Sequence, residues 1–411
     1  MRVSILGAGA SGIFSALEIR RNTAIETTVF DLNPAPGRKL AVTGSGRGNL
    51  TNMNQDESAY RSFTIKNVFR SFPLLDPREL RKRLADLGIP TDQTADGWVY
   101  PMSDSAANAA ATLRAQLSAS GVRSAANTRI TRVIVEHDGK FTLQSDQGET
   151  FAGFDALVVA TGSKSYPQLG GDASILESIR ALGIRVAEFQ PALTGLILKK
   201  AEKRLSGVRL DVKASLRADG RLLGEEAGNL IFTDFGVNGP AAMNLSHLVH
   251  RPLSQQKPIT LTIDFLPEGA AATMRRYFRS RAFRRIPYAT IWHAFLPDKL
   301  CAFFSDRWGA TADQPVNSVS DAQFKAHLQS LAAFDLPVVG TKSFADAQVS
   351  IGGVDLNEVN PATMESKKIP GLYFAGEVLD CIGKCGGYNL HWGFSTGVIA
   401  GRAIVNNAAG G

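Results

Sequence analysis

Arg2-Val3-Ser4-Ile5-Leu6, running directly into Gly7-Ala8-Gly9-Ala10-Ser11-Gly12, decides how this chain is read. A short apolar run enters a G-x-G-x-x-G turn, and apolar residues then recur at Ile13, Ala16, Leu17 and Ile19 with the spacing of one helix face. Gly7 allows the tight turn, Gly9 admits a close backbone approach, and Gly12 lets helix lie against strand. The helix that follows would aim its unpaired N–H groups at an anion held beside Ala10 and Ser11. A second apolar run, Thr27 to Phe30, ends at Asp31, where a carboxylate can accept both ribose hydroxyls and would repel a 2′-phosphate. Glycines alone would equally suit an empty turn; strand, turn, helix, strand and acid together predict a bound dinucleotide.

Two further segments tilt that dinucleotide toward FAD. The first is Pro36-Gly37-Arg38-Lys39-Leu40 with Thr43-Gly44-Ser45-Gly46-Arg47-Gly48-Asn49-Leu50-Thr51-Asn52. Its glycines suit backbone approach to a ligand. Arg38, Lys39 and Arg47 suit a diphosphate or an anionic reduced flavin, and Asn49, Thr51 and Asn52 offer hydrogen bonds to a polar ring edge, with Leu50 between them as a further cofactor-binding candidate. The plain alternative is an exposed loop. The second is the strand Leu372 to Ala375, then Gly376-Glu377, then Gly386-Gly387-Tyr388-Asn389 and a helical run Leu390 to Ile404. Glu377 is placed to hold sugar-alcohol hydroxyls, and the start of the last helix offers a positive dipole end that a reduced flavin needs and a nicotinamide does not. Between them Asp155 to Val159, closing in Ala160-Thr161-Gly162, reads as a central parallel strand. A hairpin precedes it, from Arg129 to Glu136 and Phe141 to Ser145.

Composition sets the outer limits. A chain of 411 residues exceeds one ordinary hydrophobic core, so two or three units are expected. With 44% hydrophobic and 20% charged residues, global disorder is excluded. Three cysteines and no C-x-x-C pair build neither a disulfide framework nor a zinc site, which points to a reducing, cytoplasmic compartment and no metal. Cys381 and Cys385 lack a dithiol register and, like Cys301, read as packed residues. The N-terminal run is cut short by glycine and reads as a buried strand, not a signal peptide. No stretch reaches the roughly 18 apolar residues of a membrane span, so no membrane partner is expected. A net charge of +7 favours anionic partners.

Taken together these segments resemble the YhiN/BaiN-like bacterial flavoproteins, labelled NAD(P)/FAD-dependent oxidoreductases, over essentially the full length. The resemblance rests on Gly37 to Leu40 through Asn49 to Asn52, on Thr161-Gly162-Ser163-Lys164-Ser165-Tyr166-Pro167, on Phe232-Thr233 with Gly239-Pro240, and on Gly376 to Asp380 through Cys385 to Leu390. It implies an α/β fold: a Rossmann-like FAD-binding domain with a central parallel sheet (1–190 and 345–411), an inserted β-rich, barrel-like domain (191–267 and 335–344) and a helical insert (268–334). Residue patterning agrees, with strand-like runs at Leu196 to Leu198, Val208 to Leu216 and Ile259 to Ile263, a mainly helical 268–334, a returning strand Leu336 to Val339, and Ser350 to Val354 re-entering the first domain. Relatives of this kind are linked to reduction of activated C=C bonds, including uracil in ribosomal RNA, and to oxidation of small amines, as in aminoacetone oxidases. Members often carry Cys where Gly48 stands, His where Asp234 stands and Gln where His391 stands, so a relative's specificity does not transfer automatically.

For reduction of an RNA base the expected aids are a positive surface and a proton donor. Residues 274–285 hold six arginines, and Met274, Phe278, Ala282 and Ile286 recur every four positions. One helix over that span would bury the stripe and show arginine to phosphates; a solvated face or subunit contact is the alternative. Lys199, Lys200, Lys203 and Arg204 form a weaker cluster. His391, Tyr166 and Tyr388 are the acid–base candidates, His391 alone titrating near neutrality, although packing roles suit all three. A non-catalytic flavoprotein that docks on RNA is the remaining reading. A second G-x-G-x-x-G is absent from the sequence, so NADH or NADPH would bind transiently or not at all.

Overall fold

A computed structural model describes residues 1–21, 25–266 and 268–410 and divides the chain into two compact units, Met1–Pro191 with Ala347–Gly411, and Ala192–Asp346. The expected boundary residue 267 and the final residue 411 lie outside the described residues.

The first unit is built on a five-stranded parallel sheet. Its central strand β1 (Arg2–Leu6) pairs on one side with β2 (Glu26–Phe30) and on the other with Ala156–Val159, which in turn pairs with Leu372–Phe374; Arg123–Ala125 closes the far edge. Both β1 and Ala156–Val159 are apolar and buried almost throughout, as strands covered on two faces must be. Helix α1 (Ala10–Arg20) crosses between β1 and β2. It starts inside the glycine turn, three residues ahead of the apolar pattern. The expected hairpin is present as Ile130–Val135 and Phe141–Ser145, and a third antiparallel strand, Thr150–Phe154, extends it.

Both ends of the chain meet on one face of this sheet. The last helix, Tyr388–Gly410, lies along α1: Phe14 and Phe394 rings stand 4.3 Å apart and the Ser15 hydroxyl donates to the Gly397 carbonyl at 2.9 Å. A Cβ on Gly397 would sit 2.4 Å from the Ser11 carbonyl oxygen, so only glycine permits this approach. Each large side chain sealed there contributes about 1.5–3 kcal/mol.

The second unit is a closed six-stranded antiparallel barrel, in the order Leu196–Leu198, Gly236–Asn238, Arg221–Phe232, Arg209–Ala218, Ile259–Asp264 and Phe334–Thr341. Strands such as Ile259–Asp264 alternate buried and half-buried residues, sending Ile259, Leu261 and Ile263 inward. The helical stretch packs on this barrel through one continuous apolar cluster that runs from Phe232, Leu261 and Phe265 to Tyr288, Trp292, Phe304 and Phe324. One expectation fails here. The single helix over 274–286 is two pieces, Ala270–Arg279 and a short turn Arg281–Phe283, broken at Ser280, whose hydroxyl accepts from the Ala282 N–H at 3.3 Å. Local hydroxyl-to-backbone bonding of this kind competes with helix continuation. Met274 and Phe278 are buried as expected, while Ala282 is exposed.

Candidate functional site

The anion end of the site is the glycine turn. Gly9 stands at the head of α1 with no side-chain cap, and no acidic residue occupies the first turn, so the leading N–H groups and the positive dipole end face outward. A Cβ on Gly12 would come within 1.9 Å of the Gly7 carbonyl oxygen, whereas a Cβ on Gly9 would meet nothing within 4 Å. The turn is therefore closed on its protein side and open on the other. Asp31 braces it: one carboxylate oxygen accepts the Ala8 N–H at 2.5 Å and the other the Asn33 N–H at 2.7 Å. Lone pairs remain on both oxygens for hydroxyl donors.

The middle of the site is a polar knot tying three distant segments. The Lys39 ammonium donates to the Ser165 hydroxyl at 2.6 Å and to the Glu377 carboxylate at 2.7 Å; Ser163 bonds Glu377 at 2.9 Å and Ser165 at 3.0 Å. Ser163 and Ser165 are fully buried, and the Lys39 and Glu377 side chains are 28% and 20% exposed, so this ion pair is partly shielded from water. Neither serine was singled out from sequence as a site residue. Their pairing with residues 39 and 377 leaves no local spacing signal. Next to them Ala160 continues the parallel ladder through its N–H to Leu6, Thr161 has a buried hydroxyl without a partner, and Gly162 is open around its Cβ position.

The loop at 40–52 and the chain end close on each other. Gly387 has φ +93°, and a Cβ there would sit 2.4 Å from the Thr51 carbonyl and 2.5 Å from the Asn49 side-chain oxygen. Thr51 hydroxyl and His391 Nδ1 are 2.7 Å apart, and Asn52 donates to the Gly386 carbonyl at 2.9 Å. Gly376, φ +78°, gives room to Ser11 at the head of α1. Leu50 is buried with its N–H on Val99, and Gly44 and Gly46 both take positive φ in the loop; the region around Gly46 is open.

Several side chains expected to face a ligand are engaged within the protein. Arg47 pairs with Asp104 at 2.8 Å and lies 4.2 Å over the Tyr100 ring, and Arg38 donates to the Asn33 side chain at 2.8 Å. Asn389 clamps the Gly383 backbone from both its amide atoms, Thr51 is given to His391, and Asn52 to Gly386 and the Asn54 N–H. Asn49 remains, its buried side-chain oxygen without a partner. Leu390 sits in the first turn of the last helix beside Asn389.

His391 is fully buried, and that burial lowers its pKa to about 4, outweighing the opposing pull of the Leu75 backbone and the Asp76 charge. It is neutral at pH 7, which corrects the expectation that it titrates near neutrality. Tyr388 donates its hydroxyl to the Asn54 carbonyl at 2.8 Å. Tyr166 stands in the left-handed region, φ +54°, an unusual conformation for a bulky side chain, with the Lys39 ammonium 5.8 Å from its ring centre. Among the described residues no three His, Cys, Asp or Glu side chains cluster as metal ligands, and no helix is long and apolar enough to cross a membrane.

An uncapped helix head, open glycine positions at 9, 46 and 162, and the orphaned buried oxygens of Asn49 and Thr161 fit a long polar ligand with an anionic middle. Known proteins match this chain along its length. The family model described as HI0933-like protein Rossmann domain matches residues 1–403. The 3-dehydro-bile acid delta(4,6)-reductase of Clostridium scindens is 33% identical over 413 residues, spanning 98% of this chain and 99% of that protein. The ribosomal RNA dihydrouridine synthase of Escherichia coli is 29% identical over 409 residues, spanning 98% and 97%. Among solved structures, 3-ketosteroid delta1-dehydrogenase from Sterolibacterium denitrificans superimposes with a TM-score of 0.50 at 12% identity, covering 98% of this chain and 99% of that one, a likeness of fold.

Proposed function

This chain belongs to the HI0933-like family of FAD-dependent oxidoreductases, and from that premise we propose that it reduces an activated ring carbon–carbon double bond, with uracil in structured RNA as substrate. The direction is supported by the curated relatives: a delta(4,6)-reductase and a dihydrouridine synthase are both named for saturating a ring double bond. One observation carries the substrate. All six arginines of residues 275–285 are exposed, and among the described residues only Arg279 of this run has a carboxylate partner, Asp321 at 3.8 Å. Charge left unneutralised on that scale suits a polyphosphate backbone.

FAD, when bound, supplies the hydride transfer. The chain's own residues do the rest. The turn at Gly7, Gly9, Ala10, Ser11 and Gly12 would take the diphosphate and Asp31 the adenosine ribose. Lys39, Glu377, Asn49 and the open backbone at Gly46 and Gly162 would hold the remainder. Tyr166 is assigned proton delivery, because its ring stands 5.8 Å from the Lys39 ammonium that ties Ser165 to Glu377. His391 and Tyr388 are assigned to holding residues 49–54 against the last helix.

Anaerobic mixing with NADH and with NADPH, followed by addition of uracil-containing structured RNA, tests this reading. Bleaching of the flavin by one nicotinamide and return of its colour with RNA is the expected course. Bleaching by a small amine alone, with hydrogen peroxide formed in air, would replace it with an oxidase. No reduction by any of them would leave a flavoprotein that docks without turnover. The 33% identity to a bile acid reductase favours a second reading, a small cyclic enone as substrate, which recolouring by such an enone and not by RNA would establish.

A further inference from the structure

The barrel unit carries a groove that the redox reading does not use. It is an open groove of about 680 Å³, lined by Ile197, Leu198 and Phe235 on its apolar side and by Lys200, Glu202, Lys203, Arg204 and Asp234 on its charged side. That volume lies within the roughly 300–1,000 Å³ of single small-molecule sites and is far too small for an RNA helix.

The walls are tied into the barrel by packing and hydrogen bonds. Phe235 is wedged between the Gly195 backbone, where a Cβ would fall 2.7 Å from the ring, and the Lys342 ammonium 5.1 Å above it, and its carbonyl accepts the Leu198 N–H at 3.1 Å. Asp234 rides the tip of a turn closed by the Thr233 N–H on the Gly236 carbonyl at 2.8 Å. Opposite, the turn Lys203–Leu205 is anchored by fully buried Leu205 and by the Arg204–Asp306 pair at 2.6 Å.

What the groove lacks is internal neutralisation. Elsewhere in this unit neighbouring charges find each other, as in Lys213–Glu225 and Lys257–Asp219, and of the groove's own charges Arg204 is neutralised from outside it, by Asp306. Lys200, Glu202, Lys203 and Asp234 share one groove, yet among the described residues none has an ion-pair partner within 4.0 Å. Two ammonium groups and two carboxylates held apart over an aromatic floor match a ligand with complementary parts. We propose that this groove binds an amphiphilic small-molecule anion: its carboxylate or phosphate meets Lys200 and Lys203, its hydroxyl or N–H donors meet Glu202 and Asp234, and its apolar body lies on Ile197 and Phe235. The inference rests on the barrel unit alone and stands whichever double bond is reduced.

Calorimetric titration of the flavin-loaded full chain with two probes tests it. Cholate supplies a hydroxylated apolar body with a carboxylate; uridine 5′-monophosphate supplies a hydroxylated ring with a phosphate. Saturable one-to-one binding of either is expected, cholate alone assigning a carboxylate ligand and the nucleotide alone a phosphate ligand. Lys200→Ala with Lys203→Ala should weaken it about tenfold or more, the loss expected for hydrogen bonds to a charged group. Lys200→Arg with Lys203→Arg should retain it, and Asp234→Ala, by removing an acceptor for the ligand's donors, should weaken it a few-fold. Both lysines are exposed, so an unchanged melting temperature and flavin content will show that the variants fold. Failure of both probes to bind, or binding indifferent to both lysine pairs, overturns the proposal without touching the flavin chemistry.

Discussion

The two units of this chain use charge in opposite ways. Residues 192–346 carry 20 basic and 14 acidic side chains, while the remainder carries 25 and 24, so six of the seven net positive charges sit in the barrel unit. In the dinucleotide unit cations are spent internally. Lys39 ties residue 377 to residue 165, Arg83 and Arg402 bind Glu18 and Glu79 across three helices, and Arg185 with Lys368 holds buried Glu358. In the barrel unit the arginines of 275–285 face water. Paired charge fixes a chain whose site is assembled from distant segments; unpaired charge is available to a partner.

Four variants sharpen or break that contrast, ranked by their effect on folding. Gly12→Val should be the most damaging: its side chain would enter the Gly7 carbonyl, costing about 3 kcal/mol or more and removing bound flavin, as thermal melting and flavin absorbance per chain will report. His391 comes next. Its folded pKa, about 4, lies below the unfolded value near 6.5, so stability present above pH 6.5 is lost as pH falls toward 4, on the order of 3 kcal/mol in total. His391→Gln should flatten the melting temperature over that window relative to the parent; an unchanged acid slope would reject the assignment.

Glu377→Gln removes the negative charge of the Lys39 pair. The pair is only partly shielded, so a loss of about 1 kcal/mol is expected, with weaker flavin retention as the larger sign. Replacing Arg275, Arg281, Arg284 and Arg285 by Glu should change stability by no more than about 0.5 kcal/mol. It should instead abolish RNA retention at low salt and reduce the salt slope by about 0.7–0.9 for each phosphate contact removed. A melting temperature that fell with these exposed replacements would mean that the charge is structural in both units.

Much of this was legible beforehand. Apolar periodicity located β1, α1, β2, the strand Ala156–Val159 and the last helix, because burial on two faces leaves a continuous hydrophobic signature. The barrel strands showed through alternation. What could not be read was pairing at long range. Arg47 looked like a ligand residue until Asp104 and Tyr100 claimed it, and nothing in a run of glycines announces that Thr51 will meet His391 some 340 positions away. The helix break at Ser280 was missed because the apolar stripe outlasts the helix, a local hydroxyl bond having won over periodicity.

The central claim is that both chain ends enclose one FAD. Quantifying flavin per polypeptide in the purified protein, before and after incubation with excess FAD and gel filtration, tests it most directly. The account predicts a yellow protein that reaches one FAD per chain and releases it when Gly12 is replaced by Val; a colourless protein that takes up none would contradict it.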